Sequence, residues 1–281
     1  MENKELKKLA YELRQDTVDI IMAGGGGHIG GDMSIMEILV ELYFDQMHIS
    51  PENQNDPDRD LFVLSKGHSV EAYYSVLAKK GFFPLQEVKD QFSKFGSPYI
   101  GHPNNKLPGI EMNSGSLGHG LPVCVGMALA GKRDGRDYRV YTVMGDGELA
   151  EGSIWEAAMA AHQYHLDNLC AVIDRNHLQI SGNTEDVMGH ENLHDRFASF
   201  GWHVIDVSDG NDIDALQKAF IEAKNTKNQS TVIIANTIKG KGSPVMENKA
   251  SWHHHVPSQE EYATIMADLK KERGGDLNDS R

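Results

Sequence analysis

Residues 140–184 read VYTVMGDGELAEGSIWEAAMAAHQYHLDNLCAVIDRNHLQISGNT, and the rest of the chain is organised around them. Residues 140–144 are apolar and rich in β-branched side chains, which predicts a strand that ends at a Gly-Asp-Gly turn. Helical spacing covers residues 151–165, and a second apolar run at 169–173 predicts another strand. A strand, a helix and a strand in this order predict a parallel pair joined by a right-handed crossover.

Asp146 in the Gly-Asp-Gly turn and Asn176 after the second strand would then lie side by side at the carboxyl ends of neighbouring strands. Open α/β sheets bind their ligands at this edge. A carboxylate and an amide oxygen suit Mg²⁺, which takes its remaining ligands from phosphate and water. Gly145 and Gly147 allow backbone N–H groups to approach an anion closely. The pattern therefore predicts a site for a metal-bound diphosphate.

This arrangement resembles the thiamine diphosphate motif, and its extended forms, GDGELAEGSIWEAA and DRNHLQISG, are similar to the transketolase family. The resemblance implies that Asp146, Asn176 and the backbone carbonyl of Leu178 hold the metal, which is Mg²⁺ or, in its place, Ca²⁺ or Mn²⁺. It also implies that Gly145 and Gly147 contact the diphosphate of the cofactor. A Gly-Asp turn followed by an unrelated Asn-rich loop is the alternative, which the strand-helix-strand context disfavours.

Composition limits the class of protein. The 281 residues include 27 Lys and Arg against 41 Asp and Glu, for a net charge of −14, which argues against nucleic acid or an anionic membrane as the main partner. The length predicts a single α/β domain over residues 1–281, which the resemblance implies is the diphosphate-binding domain, and we expect residues 258–281 to form a helix and a frayed acidic tail. Cys124 and Cys170 lie in apolar runs, as buried free thiols do. With a charged first segment and no run long enough to span a membrane, we expect a soluble cytoplasmic protein.

The remaining elements follow from apolar runs and helical spacing. Further strands are predicted at residues 61–64, 202–207 and 231–237. Helices are predicted at residues 4–22, 32–43, 69–81, 85–92, 121–131, 212–223 and from 258 onward. Five strands that alternate with helices predict an α/β fold with a parallel sheet covered on both faces, which the resemblance identifies as the thiamine diphosphate-binding type.

The loop AGGGGHIGG contains a formal G-x-G-x-x-G at Gly25, Gly27 and Gly30. An NAD-dependent dehydrogenase would need a strand at residues 18–22 before this loop, whereas the spacing there is helical. The resemblance to transketolases instead implies that His28 faces the substrate, although Ile29 replaces the Pro of the family.

Three more segments are similar to transketolase elements. In SKGH, the resemblance implies that His68 lies near the thiazolium and the donor sugar. In GHP and GSLGHG, it implies that His102 contacts the substrate and that the backbone of Gly115 and Leu117 touches the cofactor. His119 stands where the family has Gln, and its role stays open.

The segment WHHH at residues 252–255 suggests a metal tract, but adjacent side chains diverge in an extended chain, so one metal seldom takes all three. Transketolases place a substrate-facing His shortly before a Pro in this loop. This similarity implies His253, which follows Trp252, with His254 as the alternative.

The resemblance matches only the first, diphosphate-binding third of a full-length transketolase. In the family, a glutamate on a pyrimidine-binding domain activates the cofactor, and we find no second α/β domain in this sequence. We therefore expect a split enzyme in which a partner chain carries the pyrimidine-binding and C-terminal domains, in α2β2 pairs. Glu151 resembles the family glutamate that contacts the partner's activating glutamate, and a carboxylate stabilised by the helix dipole is a compatible explanation.

The implied reaction is ketol transfer between sugar phosphates or related sugars. His28, His68, His102 and His253 are assigned to donor-sugar hydrogen bonding and proton transfer, because imidazoles exchange protons near neutral pH. A 1-deoxyxylulose-5-phosphate synthase-like enzyme and a transketolase for a modified sugar are near alternatives. A regulatory subunit that has lost catalysis is a third possibility, which intact Asp146 and Asn176 disfavour.

Overall fold

A computed structural model of the chain describes residues 1–189 and 192–275. Its seven strands in these residues are β1 (Leu61–Leu64), β2 (Val140–Gly145), β3 (Leu169–Arg175), β4 (Leu178–Gln179), β5 (Gly182–Asn183), β6 (His203–Val207) and β7 (Thr231–Asn236). The five predicted strands form one parallel sheet in the order β1-β2-β3-β7-β6, while β4 and β5 pair as an antiparallel hairpin. The predicted parallel sheet is thus confirmed.

The described helices are α1 (Asn3–Gly24), α2 (Ile29–Ser34), α3 (Met36–Glu41), α4 (Val70–Lys80), α5 (Leu85–Gln91), α6 (Gly120–Asp134), α7 (Gly152–Gln163), α8 (Thr184–Met188), α9 (Leu193–Ser199), α10 (Ile213–Asn225) and α11 (Gln259–Gly275). One apolar core lies between the sheet and α1, α3, α4, α5 and α10, and another lies between the opposite face and α6, α7 and α9. Because both faces are covered, the strands can be continuous apolar runs.

The register between the central strands positions the predicted site. Val140 lies opposite Leu169, and the ladder continues until Gly145 lies opposite Asp174. Asp146 and Asn176 therefore leave the sheet at the same carboxyl edge, as the sequence predicted.

The prediction of one helix from Asp32 to Tyr43 is wrong in its start and its continuity. The helix begins at Ile29 and breaks at Ile35, after which α3 passes into a π-helical turn, Leu42–Gln46. In the sequence, the glycines at its start are typical of a loop. In the structure, Gly30 allows the helix to pack closely against Trp252, because a Cβ on Gly30 would lie 2.6 Å from the carbonyl oxygen of Trp252.

The β4–β5 hairpin, α8 and α9 were not predicted, because they are short and their sequence is mostly polar. The strand that a dinucleotide fingerprint requires at residues 18–22 does not form, since these residues lie within α1. Cys124 and Cys170 are free and buried, as expected. Among the described helices, none has the length and hydropathy needed to cross a bilayer. The predicted C-terminal helix is α11, and residues 276–281 of the predicted tail lie outside the described residues.

Candidate active site

A cavity of about 250 Å³ opens at the carboxyl edge of the sheet. Every predicted site residue except Glu151 lines it. Its lining comprises His28, Lys66, His68, His102, Gly115, Leu117, Gly145, Asp146, Gly147, Glu148, Asn176, Leu178, Gln179, Ile180, Lys239 and His253. The loops after four strands, β1, β2, β3 and β7, therefore build one site.

The two predicted metal-binding side chains are held by backbone N–H groups. Asp146 accepts hydrogen bonds from Gly147 N–H at 2.8 Å and from His177 N–H at 2.7 Å. Asn176 Oδ1 accepts from Leu178 N–H at 3.1 Å. Burial raises the pKa of Asp146 to about 6, with the charge of Asp174 adding to the effect.

Asp174, which no sequence pattern singled out, determines the orientation of Asn176. Its carboxylate accepts from Asn176 Nδ2 at 2.9 Å, from Ser34 Oγ at 2.7 Å and from Lys66 Nζ at 2.5 Å, and Thr237 donates to its other oxygen. Because the amide nitrogen is bound to this carboxylate, Asn176 Oδ1 remains the acceptor end. Asp174 is fully buried, so this orientation is shielded from water.

The backbone carbonyl of Leu178, the third predicted metal ligand, accepts a hydrogen bond from a lysine ammonium group. Lys239 Nζ donates to the Leu178 oxygen at 3.1 Å and lies 3.0 Å from Nδ1 of His253. Burial and the neighbouring Lys66 charge lower the pKa of Lys239 to about 8. The sequence analysis missed Lys66 and Lys239, although both follow predicted strands at the site edge.

Four of the predicted histidines form one cluster. The ring of His28 lies 5.3 Å from that of His68, 6.1 Å from that of His102 and 5.6 Å from that of His253, measured between centroids. The rings of His68 and His253 are 5.2 Å apart. Nδ1 of His28 is buried and has no hydrogen-bond partner among the described residues.

Burial favours the neutral form of all four imidazoles. Burial, followed by the charges of His254 and His102, lowers the pKa of His28 to about 4. Burial and the charge of Lys239 lower the pKa of His253 to about 3, and burial also lowers the pKa values of His68 and His102. Each ring can therefore donate through one nitrogen and accept through the other.

The three adjacent histidines point in different directions. His253 lines the cavity, and the exposed His254 lies with its ring 4.7 Å from that of His28. His255 lies 3.2 Å from Glu261 and packs its ring 4.3 Å from that of Trp252. Their different surroundings agree with the expected divergence of neighbouring side chains.

Gly115 and Glu148 allow neighbouring loops to pack together at the cavity. A Cβ on Gly115, whose φ is +136°, would lie 2.7 Å from the His102 ring, so this position requires Gly. Glu148 accepts from Gly118 N–H at 2.8 Å, from Gly145 N–H at 3.1 Å and from the Ser65 hydroxyl. This buried carboxyl, also missed from the sequence, joins the loops after β1 and β2.

Glu151 lies outside the cavity. It is exposed at the start of α7, and a Cβ on Gly118 would lie 2.6 Å from the Cβ of Glu151. Glu151 therefore lies on the surface, beside the GSLGHG loop at residues 115–120.

The residues present fit a metal-bound diphosphate. Within residues 1–189 and 192–275, no group of three or more His, Cys, Asp and Glu side chains could hold a metal by itself. A cation at Asp146, Asn176 and the Leu178 carbonyl would need further oxygen ligands, which Mg²⁺ takes from phosphate and water. The buried ammonium group of Lys239 provides positive charge that an anion needs, whereas Lys66 is paired with Asp174.

Comparison with known proteins agrees with this geometry. A family model described as "Transketolase, thiamine diphosphate binding domain" matches residues 6–275. A Phocaeicola vulgatus protein, named as one subunit of an apulose-4-phosphate transketolase, is 46% identical to the chain over 271 residues, which cover 96% of each. The chain belongs to the transketolase family.

Other members of the transketolase family differ in length. The 6-deoxy-6-sulfo-D-fructose transketolase subunit SqwG of a Clostridium species is 42% identical over 269 residues, covering 95% of this chain and 97% of that one. Human transketolase is 41% identical over 249 residues, which cover 88% of this chain and 39% of the human one. The Campylobacter jejuni transketolase structure superposes with a TM-score of 0.90 at 30% identity, covering 99% of this chain and 44% of that one.

This transketolase-family chain thus spans less than half of the full-length enzymes and nearly all of the relatives named as subunits. The resemblance inferred from GDGELAEGSIWEAA and DRNHLQISG is confirmed, as is the thiamine diphosphate-binding fold. A domain of this type uses thiamine diphosphate with a divalent metal. The dehydrogenase alternative is excluded by the helix at residues 18–22.

Proposed function

We propose that the chain is the diphosphate-binding subunit of a two-subunit transketolase, with residues 1–281 as one such domain. It would act in the cytoplasm, where its two free thiols stay reduced. The observation that carries the proposal is that Asp146, Asn176 and the Leu178 carbonyl meet four neutral histidines in one cavity.

Asp146, Asn176 and the Leu178 carbonyl would hold the metal, Mg²⁺ in preference to Ca²⁺ or Mn²⁺. The small metal-binding set leaves room for diphosphate oxygens, which is the coordination that Mg²⁺ favours. When bound, thiamine diphosphate supplies a carbon centre that can act as a carbanion. The residues assigned to its binding are His68, Gly115, Leu117, Gly145 and Gly147.

His28, His68, His102 and His253 would bind the donor sugar and move its hydroxyl protons. Their depressed pKa values favour the neutral rings, so each ring can accept a hydrogen bond from a sugar hydroxyl at one nitrogen and donate one from the other. His253 is preferred over His254 because only His253 lines the cavity. Within this cluster, Nδ1 of His28 has no hydrogen-bond partner among the described residues, so it is available to a sugar hydroxyl.

A partner subunit would cover the surface beside the cavity. From Gly120 to Gly131, the exposed residues of α6 are Val123, Gly126 and Ala130, none of which is polar. On the neighbouring α7, Met159 is 53% exposed. Since large apolar surfaces on soluble proteins mark interaction sites, we propose that a chain with a pyrimidine-binding domain docks here, in α2β2 pairs. Glu151 at the start of α7 would lie at this interface.

The substrate would be a sugar phosphate or a related modified sugar. Two relatives of similar length are named for apulose-4-phosphate and 6-deoxy-6-sulfo-D-fructose, both of which are modified sugars. These names favour a modified-sugar transketolase over the 1-deoxyxylulose-5-phosphate synthase-like alternative.

Substitution of Asp146 tests the proposed site. Asp146→Ala removes the charged metal ligand, so we expect Mg²⁺-dependent thiamine diphosphate binding to weaken at least about 100-fold, because one charged ligand is worth several kcal/mol in such a site. Fluorescence titration of the cofactor at several Mg²⁺ concentrations measures this change.

The control is Asp186→Ala, which removes an exposed carboxylate of α8 that does not line the cavity. Its cofactor affinity should match that of the wild type. If the Asp146 variant also keeps its affinity and its Mg²⁺ dependence, the metal site is elsewhere.

A further inference from the structure

Two buried carboxyl groups lie behind the histidine cluster and take no part in the function proposed above. Asp32 and Glu71 are both completely inaccessible to solvent. Asp32 belongs to the first turn of α2, and Glu71 belongs to the first turn of α4. The two helices are the ones that follow His28 and His68.

Backbone contacts connect each carboxyl to a site histidine. The N–H of Asp32 donates to the carbonyl of His28 at 3.2 Å, and Asp32 Oδ1 accepts from Ala72 N–H at 3.0 Å. Asp32 thus caps α4 from α2, which matters because the N-cap residue Ser69 provides no side-chain cap. The carboxyl of Glu71 faces Asp32 and the backbone N–H of His28.

The Glu71 carboxyl also packs closely against the glycine loop. A Cβ on Gly27 would lie 2.8 Å from Glu71 Oε1, so only glycine leaves room for this carboxyl. Asp32 Oδ2 and both Glu71 oxygens are buried, and none of the three accepts a hydrogen bond of normal geometry from the described residues. A proton held between the two carboxyls would satisfy them, because a protonated carboxyl is itself a donor.

Electrostatics favours such sharing. Ionisation of both carboxyls is strongly disfavoured when two carboxylates are adjacent and buried. Burial raises the pKa of Asp32 to about 7, and burial together with the charge of Asp32 holds the pKa of Glu71 well above its usual range. The other ionisable groups that face the pair are Lys66 and Tyr74, of which Lys66 favours one negative charge.

We propose that Asp32 and Glu71 share a proton and act as positioning residues, which join the first turns of α2 and α4 and thereby hold His28 and His68 at their separation. The ring centroids of these histidines are 5.3 Å apart. The role of the histidines in sugar binding rests on the proposed function, whereas proton sharing does not.

Infrared spectroscopy of the full chain at pH 7 tests proton sharing directly. The wild type should show the carbonyl stretch of a protonated carboxylic acid that is not hydrated. Glu71→Gln should lose the contribution of the pair to this band, and the difference spectrum separates it from that of other buried carboxyls such as Glu41, whose pKa burial raises to about 7. Its amide should keep a hydrogen bond to Asp32. A control, Glu260→Gln, changes an exposed carboxylate of α11 and should keep the band. Absence of the band in the wild type would overturn the proposal.

Thermal unfolding adds a second readout. Because burial raises the folded pKa of both carboxyls, their stabilisation is complete below the unfolded pKa near 4 and is lost as pH rises through the folded values, of which that of Asp32 is about 7. Glu71→Gln removes one titrating carboxyl, so its melting temperature relative to the wild type should increase from pH 5 to pH 8. A difference that does not change with pH would contradict a shared proton.

The assembled enzyme tests positioning. Glu71→Ala should raise KM for the donor sugar between about ten- and a hundredfold through a small displacement of His28, with cofactor affinity within about twofold of the wild type. Glu71→Gln should restore most of the loss in KM. Equal losses of sugar and cofactor binding in the alanine variant would show a general structural role instead. If the complex has no transketolase activity at all, the proposed function fails while the infrared result still stands.

Discussion

Asp174 shows how a single buried carboxylate can organise a site without lining it. It accepts from Lys66, Ser34, Asn176 and Thr237, so its two oxygens are fully used. The ion pair with Lys66 is almost completely buried, and such a pair is costly to break because removal of one partner leaves a buried charge without compensation.

We therefore expect Asp174→Ala to destabilise the fold by about 3–5 kcal/mol, since Lys66 would remain buried without its partner. The free energy of unfolding in urea measures this effect. Lys79→Met, which breaks the exposed pair of Lys79 and Glu12, is the control and should cost less than about 1 kcal/mol. Similar losses in both variants would mean that the buried network has no special weight.

Site residues that lie in contiguous motifs could be predicted from the sequence, whereas residues whose partners are far away in the sequence could not. Asp146 and Asn176 could be named because each lies in a recognisable turn. Lys239 could not, because its partner, the Leu178 carbonyl, lies 61 residues away in sequence. The sequence gives Asp174 no role beyond following a predicted strand, since most of the side chains that donate to it come from separate segments.

Among the elements, α6 combines close packing with an open outer surface. A Cβ on Gly120 would lie 2.3 Å from Ser65 Oγ and 2.7 Å from its Cα, so this end of the helix packs against the chain after β1. A Cβ on Gly126 would meet no atom within 4 Å. The same substitution should therefore have opposite effects at the two glycines.

Gly120→Ala should destabilise the chain by about 1–3 kcal/mol, because the added methyl overlaps with Ser65. Gly126→Ala should stabilise it by up to about 1 kcal/mol, the helix propensity difference between the two residues. Urea unfolding of both variants provides the comparison. Destabilisation at Gly126 as large as that at Gly120 would contradict the packing described for α6.

The long elements were predictable and the short ones were not. β2 and β3 are apolar runs that end in polar turns, and α10 carries a clear apolar stripe, so local pattern was sufficient. The start of α2 at Ile29 brings the Gly30 backbone against the carbonyl of Trp252, a contact between distant segments. No local pattern contains that information.

At the scale of the whole molecule, the exposed apolar face of α6 and α7 is better explained by a bound partner subunit than by an isolated chain. Its exposed apolar residues, Val123 and Met159 among them, lie on two packed helices beside the cavity, whereas apolar residues scattered singly over a surface need no explanation. A bound partner subunit would remove this surface from water.

Met159→Glu places a charge on this face, and we expect its affinity for the partner subunit to fall by a factor of about 100 or more, because the charge would be buried without a counterion. Ile221→Glu, on α10 at the opposite face of the sheet, is the matched control and should associate normally. Analytical ultracentrifugation of the mixed subunits measures association, and a turnover assay accompanies it.

Turnover should require both subunits, so the isolated chain should show little or none. Substantial activity of this chain without a partner would refute the split enzyme. Normal assembly of the Met159 variant would instead place the docking surface elsewhere.

The amino-acid sequence alone determined the parallel sheet, the family and the cofactor motif, because these depend on local hydrophobic periodicity and on residues that are contiguous within turns. Tertiary structure decided which side chains complete the site. Lys66, Glu148, Asp174 and Lys239 become neighbours only when the ends of four strands are brought to one edge. Their charges and burial, and the proton that we assign to Asp32 and Glu71, depend on distances between segments that are far apart in the chain.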